Sequence, residues 1–180
     1  DEHFYLRYAS TAVSNQLRTA AVKSISKYVR MWEKDFSLSV KTERPFELEF
    51  ENALIAGSID MIKRKDGDES VLEIIDFKTG KPENDMMHRY ELQVQLYTIA
   101  ASEALGLNTR KALIHFIDTD KNERLEVLTS DAALDTAREE LGFAIQGITK
   151  TDFKRDARQN KTCKNCDWCI ICPKRKNFKE

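Results

Sequence analysis

Apolar residues recur along the chain with two different periods. Leu17, Ala21, Ile25, Tyr28, Trp32 and Phe36 follow Val13 at steps of three or four, which predicts one long amphipathic helix burying that face. Phe46, Leu48 and Phe50 then alternate with Glu47 and Glu49, the period of a strand with one wet face, and Pro45 suits its edge or start. Two further β-rich runs, 54–63 and 71–78, flank Asp66-Gly67-Asp68, a turn sequence, and should pair as a hairpin. Gly80 and Pro82 stop the second run. Leu92, Leu96, Ile99 and Ala100 space a helix over 90–105 that ends near Gly106. Residues 112–117 read as a strand, and Leu125 with Val127 as a shorter one beyond the polar turn 118–122. Ser130 should cap a helix carrying Leu134, Ala137, Leu141, Ile145 and Ile148. The order implies an α/β fold, a mixed central sheet flanked by helices.

Composition narrows the class. With 180 residues, 33% of them charged, the chain can bury a core and suits a soluble, cytoplasmic protein; no apolar run approaches the roughly 20 residues of a membrane span. The first residue is Asp within a strongly helical context, which reads as a piece of something longer. A net charge of −1 hides a split, because residues 150–180 hold ten Lys/Arg against four Asp/Glu. We therefore divide the chain into a core, 1–149, and a basic cysteine-rich segment, 150–180, packed on it. The basic end is the better candidate for phosphate contact.

The chemistry concentrates in 71–78. Asp76 and Lys78 are two apart, so on a strand they share one face with Leu72 and Ile74, a face that should be buried. Buried carboxylates are costly unless paired or metal-bound. A hairpin loop of odd length, such as 66–70, would set Asp60 opposite Asp76, close enough for both to hold one hard cation; an even loop would separate them unless a bulge restored the parity. The plain alternative is a local Asp76–Lys78 ion pair with Asp60 in solvent. Gln93 and Tyr97, four apart, are neighbours on one helical face.

All four cysteines fall in one run, Cys163, Cys166, Cys169 and Cys172, followed by Pro173. In a reduced compartment that favours a soft-metal site over disulfides. The spacing is close to ferredoxin-like cluster runs, and tetrahedral Zn²⁺ is the alternative. Lys174, Arg175 and Lys176 beside it could meet phosphate, or could be a solvated tail.

Four motifs in order, "GSID" ending at Asp60, "IIDFKTG" with Asp76 and Lys78, "QVQLY" with Gln93 and Tyr97, and "CKNCDWCIICP", resemble the RecB-like branch of the PD-(D/E)XK nucleases, in the version fused to UvrD/Rep-type helicases and AddB-like subunits. The resemblance spans most of the chain and implies a restriction-endonuclease-like core. It implies that Asp60 and Asp76 bind Mg²⁺ or Mn²⁺ with the Phe77 carbonyl as a further ligand. Lys78 would orient or activate water, and Gln93 and Tyr97 would contact substrate or brace the lysine. Iron–sulfur members close with C-x2-C-x5-C-P and take a fourth cysteine from far upstream; Cys163, Cys166 and Cys172 match, Cys169 is extra, and a [4Fe-4S] cluster is implied. The family's upstream helical His has no counterpart, since "DEHFYL" around His3 lacks its context; the resemblance implies that the ligand helix is missing from this fragment, which would then bind metal poorly and cleave slowly or not at all, and His88 and His115 read as structural or incidental. There is no GxxxxGK[ST] phosphate loop, so the helicase motor is implied by resemblance alone. The expected function is metal-dependent cleavage of DNA, weighed against two others: a catalytically incomplete DNA-binding module held by an Fe–S or Zn site, and a small zinc-dependent DNA-binding or interaction domain.

Overall fold

A computed structural model describes residues 9–152 and Asp167. His3, the four cysteines and Lys174, Arg175 and Lys176 lie outside the described residues. The chain divides into two compact units, the first ending at Gly142 and the second beginning at Phe143.

The first unit is built on a five-stranded sheet in the order β1-β2-β3-β4-β5. Its elements are α1 (Thr11–Met31), α2 (Lys34–Leu38), β1 (Ser39–Phe50), β2 (Ala53–Lys65), β3 (Asp68–Lys78), α3 (Asn84–Glu103), β4 (Thr109–Phe116) and β5 (Arg124–Val127). The last helix, α4 (Asp131–Thr149), runs from this unit into the second. Only β3 and β4 pair in parallel, because α3 carries the chain from one to the other; the remaining pairs are antiparallel. Ser130 caps α4 as expected, its hydroxyl accepting from Ala133 N at 3.4 Å.

The single long helix expected over 13–36 is broken. Trp32 ends α1 and α2 restarts at Lys34. Only the C-terminal part of α1 reaches the sheet, so Tyr28 is buried and Trp32 half-buried, while Val13, Leu17 and Ile25 stay exposed against expectation. Strand β1 also begins earlier than the apolar alternation suggested. Its polar first half, including Pro45, is admissible because β1 is an edge strand.

Strand β3 is covered on both faces. On one, Ile74 joins Ile62, Val94, Ile114 and Phe116 in the main core beneath α3. On the other, a small apolar cluster of Met61, Ile75 and Leu113, flanked by Phe77, borders a buried charge network. There Lys63 Nζ lies 2.8 Å from Glu73 Oε2 and 3.4 Å from Asp35 Oδ1. Asp35 also accepts from the Tyr28 hydroxyl at 3.1 Å and pairs with Arg124. Two cations thus meet two carboxylates. Burial first, and then the Asp35 charge, pushes the Tyr28 hydroxyl above its ordinary pKa. Arg124 lies 3.5 Å from the Trp32 ring and donates from Nε to His115 Nδ1 at 3.1 Å. His115 Nε2 contacts Asn122 Oδ1, which also accepts from Trp32 Nε1 at 2.9 Å. These partners fix the neutral Nε2–H tautomer of His115, and burial holds its pKa down at about 4.

Two outcomes follow. Glu73→Ala leaves two buried cations, Lys63 and Arg124, to share the single carboxylate of Asp35 and should cost about 3 kcal/mol in urea unfolding, whereas Glu73→Leu with Lys63→Met should recover most of it. His115 has a depressed pKa, so its contribution is complete above the ordinary histidine value of about 6.5 and is lost as pH falls toward about 4. The stability advantage of wild type over His115→Gln should shrink across that window; a pH-independent difference would refute the assignment.

Candidate active site

Strand β3 ends at Lys78, and its last residues carry the charges. The β2–β3 register runs Arg64↔Leu72, Lys63↔Glu73, Ile62↔Ile74 and Met61↔Ile75, which places Asp60 across from Asp76 one step further on. The loop itself differs from the five-residue expectation. Lys65 pairs with Asp68 around a two-residue Asp66-Gly67 turn, with Gly67 at φ 83. That even loop alone would have separated the carboxylates. A register shift between Arg64 and Lys65 supplies the odd offset that brings them together.

A second irregularity aims Asp60. Ile59 and Ile62 both enter the main core although they are three apart, so strict alternation breaks between them. Asp60 is half-buried, and its Oδ2 accepts from the Phe77 backbone N–H at 2.8 Å. This ties β2 to β3 at the point where the site opens, and it excludes the alternative in which Asp60 simply faces solvent.

Asp76 is 1% exposed. Lys78 Nζ lies 2.7 Å from its Oδ2, yet the approach lacks hydrogen-bond direction, and that oxygen has no hydrogen-bond partner. The short distance is an ion contact; the missing direction means the lone pairs of Oδ2 are left over for something else. Burial is the main reason the Asp76 carboxyl is raised above its ordinary range; Lys78 opposes the shift and the Asp60 charge adds to it.

Lys78 is held from the helix side. Its Nζ donates to Gln93 Oε1 at 2.8 Å, and Gln93 Nε2 donates to the Tyr97 hydroxyl at 2.7 Å. The Tyr90 ring centroid is 5.0 Å from the ammonium. Tyr97 is buried, and burial is the first cause that raises its pKa; Gln93 opposes the rise, and the charges of Asp76, Asp60 and Glu43 add to it. The structure therefore gathers Asp60, Asp76, Lys78, Gln93 and Tyr97 at one end of the sheet.

Sequence reasoning missed the support behind Tyr97. The Phe46 ring packs edge-on against Tyr97 with centroids 5.8 Å apart. A Cβ on Gly57, the residue across from Phe46, would sit 2.7 Å from that ring. The "GSID" glycine thus seats Phe46 against the backbone of β2, a role that shows only once the β1–β2 register is known. His88 is exposed and lies 2.9 Å from Glu140, while His115 belongs to the buried network on the other face.

Two carboxylates, half-buried Asp60 and buried Asp76, the second with an Oδ2 that lacks a directed hydrogen bond, make a donor set suited to a hard divalent cation. Among the described residues no three acidic or histidine side chains converge closely enough to ligate one ion on their own. Backbone oxygen or solvent would complete the shell.

The fold has known counterparts. The structure of SSO0001 superposes with a TM-score of 0.52 at 22% identity, covering 92% of this chain and 72% of that one. A protein from Eubacterium rectale described as a candidate exonuclease superposes with a TM-score of 0.59 at 14% identity, covering 94% of this chain and 65% of that one. At these identities the likeness shows the fold, and this chain spans less than two thirds of the second protein's length. No curated protein matches the chain in sequence. The profile of the PD-(D/E)XK nuclease superfamily matches residues 2–173, nearly the whole chain. Its restriction-endonuclease-like core accounts for the mixed sheet with Asp60 and Asp76 on adjacent strands, and the chain belongs to the PD-(D/E)XK nuclease superfamily.

Proposed function

We propose that this chain is a metal-dependent DNA nuclease domain that hydrolyses phosphodiester bonds, of exonuclease type, in a helicase-nuclease acting in DNA end processing or repair. The observation that carries the reading is the buried Asp76 carboxylate, whose Oδ2 has an ion contact with Lys78 but no directed hydrogen bond, across the strands from Asp60. A Mg²⁺ or Mn²⁺ ion held by Asp60, Asp76 and the Phe77 carbonyl would polarise the phosphate and make hydroxide available near neutral pH. Lys78, fixed by Gln93, holds a positive charge where the attacked phosphate gains negative charge, and its N–H groups orient the attacking water. Tyr97 keeps Gln93 from rotating away, so Gln93 and Tyr97 act by positioning the lysine. The motif order supports a RecB-like domain working on single strands delivered by a helicase partner.

In the same reading Cys163, Cys166 and Cys172 hold a [4Fe-4S] cluster whose fourth ligand comes from Cys169 or from elsewhere in a longer protein. The cluster ties down the C-terminal segment, and Lys174, Arg175 and Lys176 meet DNA phosphate. The support is the cysteine spacing. Protein purified without oxygen should contain iron and sulfide and absorb in the visible, and Cys172→Ser should lose both; one zinc per chain and no iron would replace the cluster with a zinc site.

Cleavage of labelled single-stranded DNA tests the activity. It should require Mg²⁺ or Mn²⁺ and fall by about 100-fold or more in Lys78→Ala. Asp76→Asn should also abolish it, yet raise the thermal midpoint of the metal-free protein. The sign follows from the raised carboxyl: the folded state disfavours ionised Asp76, so stability is lost as pH rises through the ordinary carboxylate range toward the folded value. The gain from Asp76→Asn should therefore be present at neutral pH and vanish in acid. Undiminished cleavage in both variants would overturn the assignment of the reaction to Asp76 and Lys78, and metal-independent DNA binding without cleavage by wild type would replace the nuclease reading with a binding module.

A further inference from the structure

Strand β1 adds a third carboxylate to the row. Its register with β2 is constant through Thr42↔Met61 and Arg44↔Ile59, so Glu43 lies across from Asp60, as Asp60 lies across from Asp76. Three successive strands thus align Glu43, Asp60 and Asp76. Glu43 adopts φ 46, a left-handed conformation rare for a residue with a Cβ, and this breaks the alternation of the edge strand at that point. Its Oε2 accepts from the Ser58 hydroxyl at 3.5 Å, two residues before Asp60, and its charge bears on Tyr97 together with those of Asp60 and Asp76. The row alone would be a set of acidic residues. The separate sign of a ligand is Asp76 Oδ2, almost wholly buried and met only by the ion contact with Lys78, with no directed hydrogen bond.

Glu43 is exposed, and no three carboxylates of the described residues converge on one point, so Glu43 is not a direct ligand. Mg²⁺ and Mn²⁺ at carboxylate sites retain several waters, and groups that accept from those waters shape affinity. We propose that Glu43 is a positioning residue of the cation site, accepting a hydrogen bond from a hydration water of the ion held by Asp60 and Asp76. The inference rests on the metal-dependent reading above and extends its site to the edge strand. The left-handed backbone at Glu43 is then the means by which an edge-strand side chain is directed at the same end of the sheet.

Mn²⁺ titration of the 180-residue chain, read by the paramagnetic resonance of free Mn²⁺, tests this without cleavage. The variants are Glu43→Gln, Asp76→Asn, and Glu47→Gln as an exposed control on the same strand. Each is measured at about 0.1 M and about 1 M salt, between which the screening length falls from about 10 to about 3 Å. Glu43→Gln should weaken Mn²⁺ roughly 10-fold at both salt concentrations, with an unchanged circular dichroism spectrum, while Glu47→Gln should match wild type at high salt. Unchanged affinity in Glu43→Gln alongside its loss in Asp76→Asn would overturn the role of Glu43 and leave the nuclease reading standing. An effect that disappears at high salt would reduce Glu43 to a distant charge and overturn the contact. Wild type that binds no Mn²⁺ would overturn both.

Discussion

Ionising a carboxyl group out of reach of water is unfavourable unless charge or metal meets it, and at Asp76 the compensation within the protein is only partial. Lys78 comes close enough to offset the charge but does not give the oxygen a directed hydrogen bond. A stability-driven sequence would place Asn or an aliphatic residue there. What the unfavourable burial gains is an anionic oxygen already desolvated and aimed, which need not be reorganised when a cation or a phosphate arrives.

That arrangement depends on Lys78 staying where it is, and a chain of contacts running back to Gly57 holds it. Lysine has long, mobile rotamers, so an ammonium that must sit between a carboxylate and a reacting phosphate needs a second anchor. Gln93 supplies it, Tyr97 orients Gln93, Phe46 packs against Tyr97, and the missing Cβ of Gly57 makes room for Phe46. The contacts cross from β3 to α3 to β1 to β2, so a change on the edge strand can displace the lysine without touching it. Gly57→Ala is such a change, because Phe46 is itself 4% exposed and has little room to yield.

Much of this was legible in the sequence, and the gaps have physical causes. The β-rich runs on either side of Asp66-Gly67-Asp68 located β2 and β3, and the spacing of Gln93 and Tyr97 put them together on α3. The meeting of Asp60 and Asp76 was anticipated, although through a five-residue loop where the chain instead combines a short turn with a register shift; turn and bulge compensate, and the pattern of side chains records only their sum. The burial of Glu73 and Lys63 was not anticipated from the sequence. Their burial requires Asp35 and Arg124, which lie far away in sequence and could not be paired with them by period alone. The exposed apolar face of α1 has a similar origin, since amphipathic spacing states that a face can be buried without stating what is there to bury it.

The two sets of buried charges on β3 bear on one another through register. Glu73 points to the α1 and α2 side, while Asp76 and Lys78 point to the α3 side, and the apolar residues Ile74 and Ile75 are divided between the faces in the same way. A slip of β3 by one residue would exchange the faces. Asp76 would then sit near Asp35 and Glu73 would enter the apolar core beneath α3 with no cation to meet it, whereas exchanging Ile74 for Ile75 would cost little. Apolar packing therefore discriminates weakly between the two registers of this strand, and the charges discriminate strongly. The network formed by Lys63, Glu73, Asp35 and Arg124 lies on the opposite face from Asp76 and takes no part in its chemistry, yet it penalises the pairing in which Asp60 and Asp76 would fail to meet.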